Sequence, residues 1–186
     1  LVTSGPTIEQ IDPVRFISNN SSGKQGHAIA NALRRHGADT NLISGPVNIK
    51  DPENVKVTKV NSAEEMLHEC RESLPVDIAV FAAAVSDWRC SNTSNIKIKK
   101  TSDNDELNLS LEKNQDILKE ISTLNKNRPD LVIGFCLETD NLIETAKEKL
   151  KNKSCDWIVA NEHHNGKESV FDSDMNSVKL VENDNF

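Results

Sequence analysis

Residues 18–26 read Ser-Asn-Asn-Ser-Ser-Gly-Lys-Gln-Gly and separate a strand-like start of the chain from an amphipathic helical pattern. Gly23 and Gly26 can adopt the positive φ angles of tight turns, and small neighbours let a ligand approach the backbone closely. A helix that begins after such a loop directs unpaired N–H groups and a positive dipole end at the ligand. This strand-loop-helix unit predicts an anion site, most simply for phosphate; an ordinary polar turn is the alternative interpretation.

The loop matches neither of the two common phosphate-binding fingerprints. A P-loop has glycine five residues before its Gly-Lys pair and Ser or Thr after the lysine. Ser18 and Gln25 occupy those two positions. The dinucleotide pattern G-x-G-x-x-G also fails, because Ser21 stands where its first glycine belongs. The sequence therefore indicates a phosphate site that belongs neither to a kinase-type NTPase nor to an NAD enzyme.

The composition is typical of one globular domain. The chain has 186 residues, 36% of them hydrophobic, a mean hydropathy of -0.53 and a formal net charge of -7. We interpret residues 1–186 as a single soluble domain. The negative charge argues against nucleic-acid binding through a basic face, and no apolar run approaches the ~18 residues of a membrane span. We expect no signal peptide and a cytoplasmic location, where the widely spaced cysteines stay reduced.

Apolar runs and helical patterns alternate along the chain. The predicted strands are 1–3, 40–44, 55–60, 78–85, 131–137, 157–160 and 178–181, and the predicted helices are 24–36, 62–72, 116–124 and 141–153. Residues 78–85 are continuously apolar, which is typical of a strand covered on both faces of a parallel sheet. The alternation predicts an α/β fold with a doubly wound, mainly parallel, Rossmann-like sheet. Its ligand site should lie in the loops that follow the carboxyl ends of the strands.

Two segments interrupt this alternation and predict a β-hairpin inserted at 96–111. Residues 96–100 and 107–111 alternate apolar with polar side chains, and a polar, acidic loop separates them. Because both predicted strands are amphipathic, something must cover one side of the hairpin. It could be a flap over the site or an arm of a dimer.

Several side chains near the predicted site could carry chemistry, and each has a structural alternative. Asp87 follows the apolar run, where it could bind a ribose hydroxyl, an amine or magnesium, or simply form a turn. The alanines at 82–84 leave a bare surface for a planar group or for tight helix packing. Lys97, Lys99 and Lys100 could clamp phosphate, or they could protect an exposed edge strand.

Two predicted helices add further candidates. The segment 114–117 begins a helix whose N–H groups could bind a base edge or a carboxylate, although an Asn or Asp cap explains it equally. Lysines at 147, 149, 151 and 153 crowd the end of another helix, where pairing with the helix dipole is the alternative. No Ser/His/Asp arrangement is recognisable. The sequence thus supports a nucleotide site of N–H groups, lysines and one carboxylate rather than covalent catalysis.

Five separated segments match one family in the same order. They are 2–7 (VTSGPT), 12–26 (DPVRFISNNSSGKQG), 82–88 (AAAVSDW), 97–100 (KIKK) and 134–139 (GFCLET). From residue 1 to about 180 the chain resembles the phosphopantothenoylcysteine synthetase family, the ligase domain of the bacterial bifunctional coenzyme A biosynthesis protein. The resemblance implies that 4'-phosphopantothenate attacks the α-phosphate of CTP, releasing pyrophosphate. The amine of L-cysteine then displaces CMP from the acyl-cytidylate.

The resemblance also implies roles for individual residues. Asn19 would hold the acyl-nucleotide and assist its reaction with cysteine, whereas Lys97 would act on the triphosphate and its developing charge. Gly23 would face phosphate, and Mg²⁺ would bridge the triphosphate oxygens. The other implied nucleotide-binding residues are Ala83, Ala84, Asp87, Gln115, Asp116, Ile117, Leu118, Phe135, Lys149 and Lys153. The loop 99–106 would form a flap, and the hairpin strands would form the dimer contact.

Two positions depart from the bacterial pattern of that family. Gln115 stands where proline is expected, and Trp88 stands where Tyr or Phe is usual. Either change could alter the base pocket, so ATP is the alternative nucleotide. The resemblance further implies a homodimer and fusion to, or association with, a flavin-dependent decarboxylase. The competing class is a non-catalytic or NAD(P)-type nucleotide-binding domain of similar fold.

Overall fold

The protein is a layered α/β structure, described by a computed structural model for residues 1–99, 106–138, 141–162 and 176–183. The strands are β1 (Val2–Ser4), β2 (Glu9–Gln10), β3 (Phe16–Ile17), β4 (Asn41–Ser44), β5 (Lys56–Lys59), β6 (Ile78–Phe81), β7 (Trp88–Cys90), β8 (Leu111–Lys113), β9 (Leu131–Glu138), β10 (Trp157–Glu162) and β11 (Val178–Glu182). The helices are α1 (Lys24–Arg35), α2 (Ala63–Glu72), α3 (Ile117–Ser122) and α4 (Leu142–Lys153). In this described part of the chain, no helix has the length and apolar character that crossing a membrane requires.

A seven-stranded sheet with the order β11-β10-β9-β6-β1-β4-β5 forms the centre of the molecule. All neighbouring strands pair in parallel except β11, which is antiparallel to β10. From β1 the chain builds one half of the sheet through β4 and β5. It then crosses to the other side of β1 and builds the second half through β6, β9 and β10. This is the strand order of doubly wound nucleotide-binding folds, so the predicted fold class is confirmed.

Separate apolar clusters cover the two faces of the sheet. Val2, Leu42 and Val80 belong to three adjacent strands and pack with Ala30 of α1 on one face. Side chains alternate across a strand, so Ile43 joins the opposite cluster, to which α2, α3 and α4 contribute. Full burial of a Val, Leu or Ile side chain stabilises a fold by about 1.5–3 kcal/mol, which explains why these inward-facing positions are apolar.

The predicted helices are present, and local capping explains where two of them begin. The Ser62 hydroxyl accepts the Glu65 N–H at 3.1 Å, while the Glu65 carboxylate accepts the Asn61 N–H at 2.6 Å. Ser62 and Glu65 therefore form a capping box whose second bond is shifted by one residue. Asp116 caps α3 by accepting the Lys119 N–H at 3.1 Å.

The apolar run 78–85 is only partly a strand, which corrects the predicted boundary. Strand β6 ends at Phe81, and the chain then leaves the sheet with only an isolated bridge between Ala84 and Pro6. The carbonyl of Ala84 accepts a hydrogen bond from the Asn19 side chain at 2.5 Å. The Ala84 backbone also donates to the Gly5 carbonyl at 2.9 Å and accepts the Thr7 N–H at 3.3 Å, so the Asn19 side chain adds a third bond to this bridge beyond β6.

The predicted hairpin strands were placed wrongly. Antiparallel pairing joins β7 to β8, whose residues are 88–90 and 111–113. Residues 96–99 and 106–110 are not strands, and 100–105 lie outside the described residues. Residues 96–99 alternate in sequence but do not pair with a strand. The N–H and carbonyl of Ile98 bond instead to side chains of a distant loop.

Candidate functional site

Two adjoining cavities open at the carboxyl ends of the parallel strands, where the direction of chain winding reverses. We call them the loop cavity, which is lined by residues 21–26 and has a volume of about 700 Å³, and the lysine cavity, which is lined by Lys149 and Lys153 and has a volume of about 550 Å³. Ala83 and Phe135 line both. Each volume suits a small-molecule site, and the shared wall would bring two bound molecules close together.

Two glycines shape the turn that lines the loop cavity. Gly23 has φ +75°, and a Cβ there would lie 2.7 Å from Val47 Cγ1. Gly26 lies so close to β1 that a Cβ would be 2.5 Å from both Cβ and Oγ of Ser4. No acidic residue occupies the first turn of α1. The helix N-terminus therefore presents a positive dipole end without a competing carboxylate on its own first turn.

A buried polar network that the sequence analysis missed supports this turn. The Ser4 hydroxyl lies 2.9 Å from both the Gly23 carbonyl and His27 Nδ1. His27 Nδ1 is also 3.1 Å from that carbonyl, so a proton on Nδ1 satisfies the arrangement. Burial lowers the pKa of His27, which favours the neutral ring, while Nε2 lies 3.6 Å from Asp51. The sequence did contain one indication of this contact: His27 lies four residues after Gly23, which is about one helical turn.

Asn19 connects the loop to the end of β6. Its amide nitrogen donates to the Ala84 carbonyl at 2.5 Å, and its oxygen accepts the Ser21 N–H at 3.3 Å. Across the loop cavity, the side chain of Asn176 donates to Gln25 at 3.1 Å. The lining of the loop cavity thus includes the glycine turn and, bonded to Gln25, a residue from just before β11.

The lysine cavity contains two ion pairs that join α4 to neighbouring elements. Lys149 Nζ lies 2.6 Å from a Glu138 carboxylate oxygen, and Lys153 contacts the carboxylate of Asp116. The carboxylates hold both ammonium groups at the cavity wall. An anionic ligand that binds these lysines must compete with the two carboxylates.

The floor of the lysine cavity depends on another close approach. A Cβ at Gly134 of β9 would lie 2.5 Å from Leu118 Cδ2 and 2.8 Å from Ile158 Cδ1. Glycine therefore lets α3 lie directly against the sheet. At the opposite rim, Lys113 Nζ is 5.8 Å from the centroid of the Trp88 ring, within the range of a cation–π contact.

The structure brings most of the predicted site residues to these cavities. Those lining the loop cavity are Asn19, Gly23, Ala83, Ala84 and Phe135. Those lining the lysine cavity are Ala83, Asp87, Gln115, Asp116, Ile117, Leu118, Phe135, Lys149 and Lys153. Lys97 lines neither cavity, and its side chain is exposed on the irregular segment before residue 100.

The chemistry of the two cavities is that of binding and charge stabilisation. Cys136 lines the loop cavity, but burial raises the pKa of its thiol, which disfavours the nucleophilic thiolate. Among the described residues, no group of three or more His, Cys, Asp or Glu could hold a metal ion. N–H donors, four lysines (Lys24, Lys113, Lys149 and Lys153) and the exposed Asp87 carboxylate remain, and these suit phosphate-bearing ligands.

The fold and the paired cavities define a doubly wound α/β domain with two adjoining cavities of small-molecule size. The family model for the DNA/pantothenate metabolism flavoprotein C-terminal domain matches residues 1–186, and the chain belongs to this family. The predicted family resemblance is thereby confirmed.

Individual relatives agree with this membership. The coenzyme A biosynthesis bifunctional protein CoaBC of Haemophilus influenzae is 44% identical over 180 residues, which cover 96% of this chain and 44% of that protein. The chain therefore spans less than half the length of the curated relatives it matches. A crystal structure of the C-terminal domain of CoaBC has a TM-score of 0.78 at 35% identity, covering 98% of this chain and 80% of that one. The DNA/pantothenate metabolism flavoprotein from Streptococcus pneumoniae has a TM-score of 0.79 at 25% identity, covering 97% and 90%.

Proposed function

We propose that this chain ligates 4'-phosphopantothenate to L-cysteine in coenzyme A biosynthesis. CTP is consumed, an acyl-cytidylate forms, and pyrophosphate and CMP are released. The observation that carries the proposal is the pair of cavities that share Ala83 and Phe135. A reaction that joins an acid to a nucleotide needs two such sites in contact, one for each reactant.

The two cavities differ in the chemistry they offer, which supports assigning one reactant to each. The glycine turn and α1 N-terminus of the loop cavity suit the terminal phosphate of phosphopantothenate. The lysine cavity suits the nucleotide, with Asp116, Ile117 and Leu118 beside the base and Lys149 and Lys153 toward the phosphates. The acid carboxylate would then meet the α-phosphate near the wall the cavities share.

Both chemical steps proceed without a protein nucleophile in this proposal. A carboxylate oxygen of phosphopantothenate bonds to the α-phosphorus of CTP, and the bond to pyrophosphate breaks. The cysteine amine then bonds to the acyl carbon, CMP leaves, and the amine loses a proton. Lys97 stabilises charge in the first step, and Asn19 holds the acyl-cytidylate for the second.

Magnesium is part of the proposal, and Asp87 is the residue that would hold it. Mg²⁺ is usually bound by one or two carboxylates together with substrate phosphates, so a dedicated cluster of protein ligands is not required. Asp87 is exposed at the lysine cavity. When bound, the ion would neutralise charge on the triphosphate oxygens.

We also propose a homodimer, a flavin-dependent decarboxylase as fused or associated partner, and a cytoplasmic location. Apolar side chains are exposed near the β7–β8 hairpin, and a second copy of the chain could cover them; they are Trp88, Ile96, Leu107, Leu109 and Leu111. All four cysteines are free, as a reducing compartment allows. That residues 1–186 form a single ligase domain is likewise part of the proposal.

A binding domain of NAD(P) type is the second candidate, because the strand order is the one that dinucleotide folds use. Two observations disfavour it. Ser21 replaces the first glycine of the fingerprint, and the paired cavities exceed what a cofactor-only module needs.

Pyrophosphate release separates these candidates. The purified protein is incubated with phosphopantothenate and Mg²⁺, with CTP or ATP, before any cysteine is added. Release with CTP alone supports the acyl-cytidylate route. Release with ATP alone would mean that the ligase prefers adenine, and Gln115 would be the first residue to test as the cause. Release with neither nucleotide would contradict the ligase proposal, and calorimetry with CTP and NADP would then test the binding-domain alternative.

A matched pair of variants tests the lysine cavity itself. Lys153→Ala removes an ammonium group at the cavity wall, and Lys151→Ala removes one from the exposed side of the same helix. We expect the first variant to raise the KM for CTP by about tenfold, the effect of losing one charge-assisted contact. Equal KM values for the two variants would contradict the assignment of this cavity to the nucleotide.

A further inference from the structure

We propose that Asp12 is a positioning residue for Lys97, a role that rests on the proposed ligase function. Asp12 belongs to the turn between β2 and β3, far from Lys97 in sequence. Its carboxylate and the Arg15 guanidinium together hold the backbone of Ile98, the residue that follows Lys97. This contact fixes the base of the Lys97 side chain relative to the loop that carries Asn19.

The Asp12 carboxylate is buried and fully used. Its Oδ1 accepts the backbone N–H groups of Val14 at 2.8 Å and Arg15 at 2.9 Å. Its Oδ2 accepts the Ile98 N–H at 3.1 Å and the Arg15 Nε at 3.0 Å, and also contacts Arg15 Nη2 at 2.5 Å. One oxygen therefore shapes the turn, while the other reaches across to the distant segment.

Arg15 completes the contact from the other side of the same peptide segment. Its Nη2 donates to the Ile98 carbonyl at 2.7 Å, so both backbone polar groups of Ile98 are bonded to this turn. The Ser94 N–H also donates to the carbonyl of Ile11, at 3.0 Å. The segment before residue 100 is thereby anchored at two points, although it pairs with no strand in the described residues.

The charge of Asp12 is maintained by the same contacts. Burial opposes ionisation, but hydrogen bonds from Val14, Arg15 and Ile98 outweigh it and hold the pKa of Asp12 well below its usual range. A carboxylate that stays ionised keeps accepting from all of these donors. The anchor is therefore present throughout the neutral pH range.

Anchoring the backbone next to Lys97 has a consequence for catalysis. The Lys97 side chain is exposed, so it can move toward a bound triphosphate while its Cα stays in place. A fixed base reduces the entropy lost when the lysine meets the transition state. The same turn leads through β3 to Asn19, so Asp12 connects the residues proposed for the two chemical steps.

Asp12→Asn tests this role because it separates the functions of the two oxygens. The amide oxygen can still accept from Val14 and Arg15, whereas the amide nitrogen cannot accept from Ile98. We expect faster hydrogen exchange at the Ile98 amide, by at least about tenfold. We also expect pyrophosphate release in single-turnover assays to slow by about 10–100-fold, the range of an active-site displacement near 1 Å. Reaction of pre-formed acyl-cytidylate with cysteine should change less than about threefold.

Asp156→Asn is the matched control. Asp156 is also a buried aspartate that binds an arginine, Arg128, at 3.0 Å and a backbone N–H, that of Val132, at 2.7 Å, away from both cavities. The Asp156→Asn substitution should lower the free energy of unfolding, but it should not slow pyrophosphate release more than it slows the reaction of acyl-cytidylate with cysteine. If both variants slow pyrophosphate release to the same extent, Asp12 acts only through stability and the proposal is overturned.

Lys97→Ala supplies the second criterion. If Asp12 works through Lys97, Asp12→Asn in the Lys97→Ala background should leave the residual release rate unchanged within about threefold, because the side chain that Asp12 positions is already gone. If the two substitutions instead slowed pyrophosphate release by fully multiplicative factors, the positioning role of Asp12 would be overturned. Should Asp12→Asn not fold, Arg15→Lys serves instead, since lysine lacks the planar fork with which Arg15 bonds both Asp12 and the Ile98 carbonyl. A wild-type protein that releases no pyrophosphate would refute the ligase proposal itself, whereas a normal rate in Asp12→Asn would refute only this inference.

Discussion

Gly26→Ala should damage both stability and substrate binding, because Gly26 sits where α1 touches β1. An added Cβ would lie 2.5 Å from Ser4 Cβ and Oγ and 2.9 Å from the Thr3 carbonyl. Ordinary contacts need about 3.5–4 Å, so the helix must move by about 1 Å. Overpacking of this severity costs about 3 kcal/mol, while alanine regains about 1 kcal/mol of helix propensity. The free energy of unfolding should therefore fall by about 2 kcal/mol.

The same displacement should reach the loop cavity. Ser4 bonds to the Gly23 carbonyl, and Gly23 lines the cavity proposed for phosphopantothenate. A shift near 1 Å in a substrate-positioning element can cost up to ~100-fold in rate. We expect the KM for phosphopantothenate to rise by about tenfold or more, while the KM for CTP changes much less. Urea unfolding and initial rates of pyrophosphate release measure the two effects.

Gly37→Ala is the control for this prediction. Gly37 has φ +93° and nothing within 4 Å of a Cβ, so alanine there meets strain but no clash. A left-handed residue other than glycine costs about 1–2 kcal/mol, comparable with the loss expected at Gly26. Only Gly26→Ala should alter substrate kinetics. Wild-type stability and kinetics in Gly26→Ala would refute the packing argument, and equal kinetic defects in both variants would refute the link to the cavity.

Two further predictions concern charged groups of the site. Glu138→Gln should tighten CTP binding by about two- to fivefold, because a half-exposed pair such as Lys149–Glu138 is worth about 0.5–1 kcal/mol that an anion must replace; weaker binding in calorimetry would show that Glu138 assists the nucleotide. His27→Gln should weaken the pH dependence of stability. Burial lowers the pKa of His27 below its ordinary value of 6.5, so below that pH the unfolded chain takes up a proton that the folded chain resists. Wild-type stability should then be retained above pH 6.5 and decline below it, and identical melting-temperature profiles at pH 5.5–7.5 would contradict this explanation.

The fold could be predicted because its signals are local and repeated. Apolar runs predicted the strands at 131–137 and 157–160, which are β9 and β10, and a helical pattern predicted the helix at 62–72, where α2 lies. Such patterns depend on residues within one or two turns, where periodicity and capping dominate. The rule that ligands bind at the carboxyl ends of parallel strands predicted Asp87 at the site, and Asp87 lines the lysine cavity; Phe135, which lines both cavities, was implied by the family resemblance.

The errors arose where long-range contacts overrode local patterns. The segment 96–99 alternates like a strand, yet Ile98 bonds to Asp12 across 86 positions of sequence. The apolar run after Phe81 looked like a longer strand, but it keeps only an isolated bridge to Pro6, and the side chain of Asn19 also bonds the Ala84 carbonyl. In both cases a side chain from a distant loop satisfied a backbone group, which no periodicity can reveal.

The sequence by itself determined the parallel sheet, the glycine turn before α1 and the membership of the family. Hydrophobic spacing and residue type are enough for the sheet and the turn, since each reflects an interaction within a short segment, whereas the family was indicated by five matching segments in the same order. Only the tertiary structure decided that two cavities share Phe135, that Lys149 and Lys153 are paired with carboxylates, and that Lys97 stands on a clamped segment. Those features depend on which distant groups meet, because burial and charge pairing arise only once the strands have been brought into order.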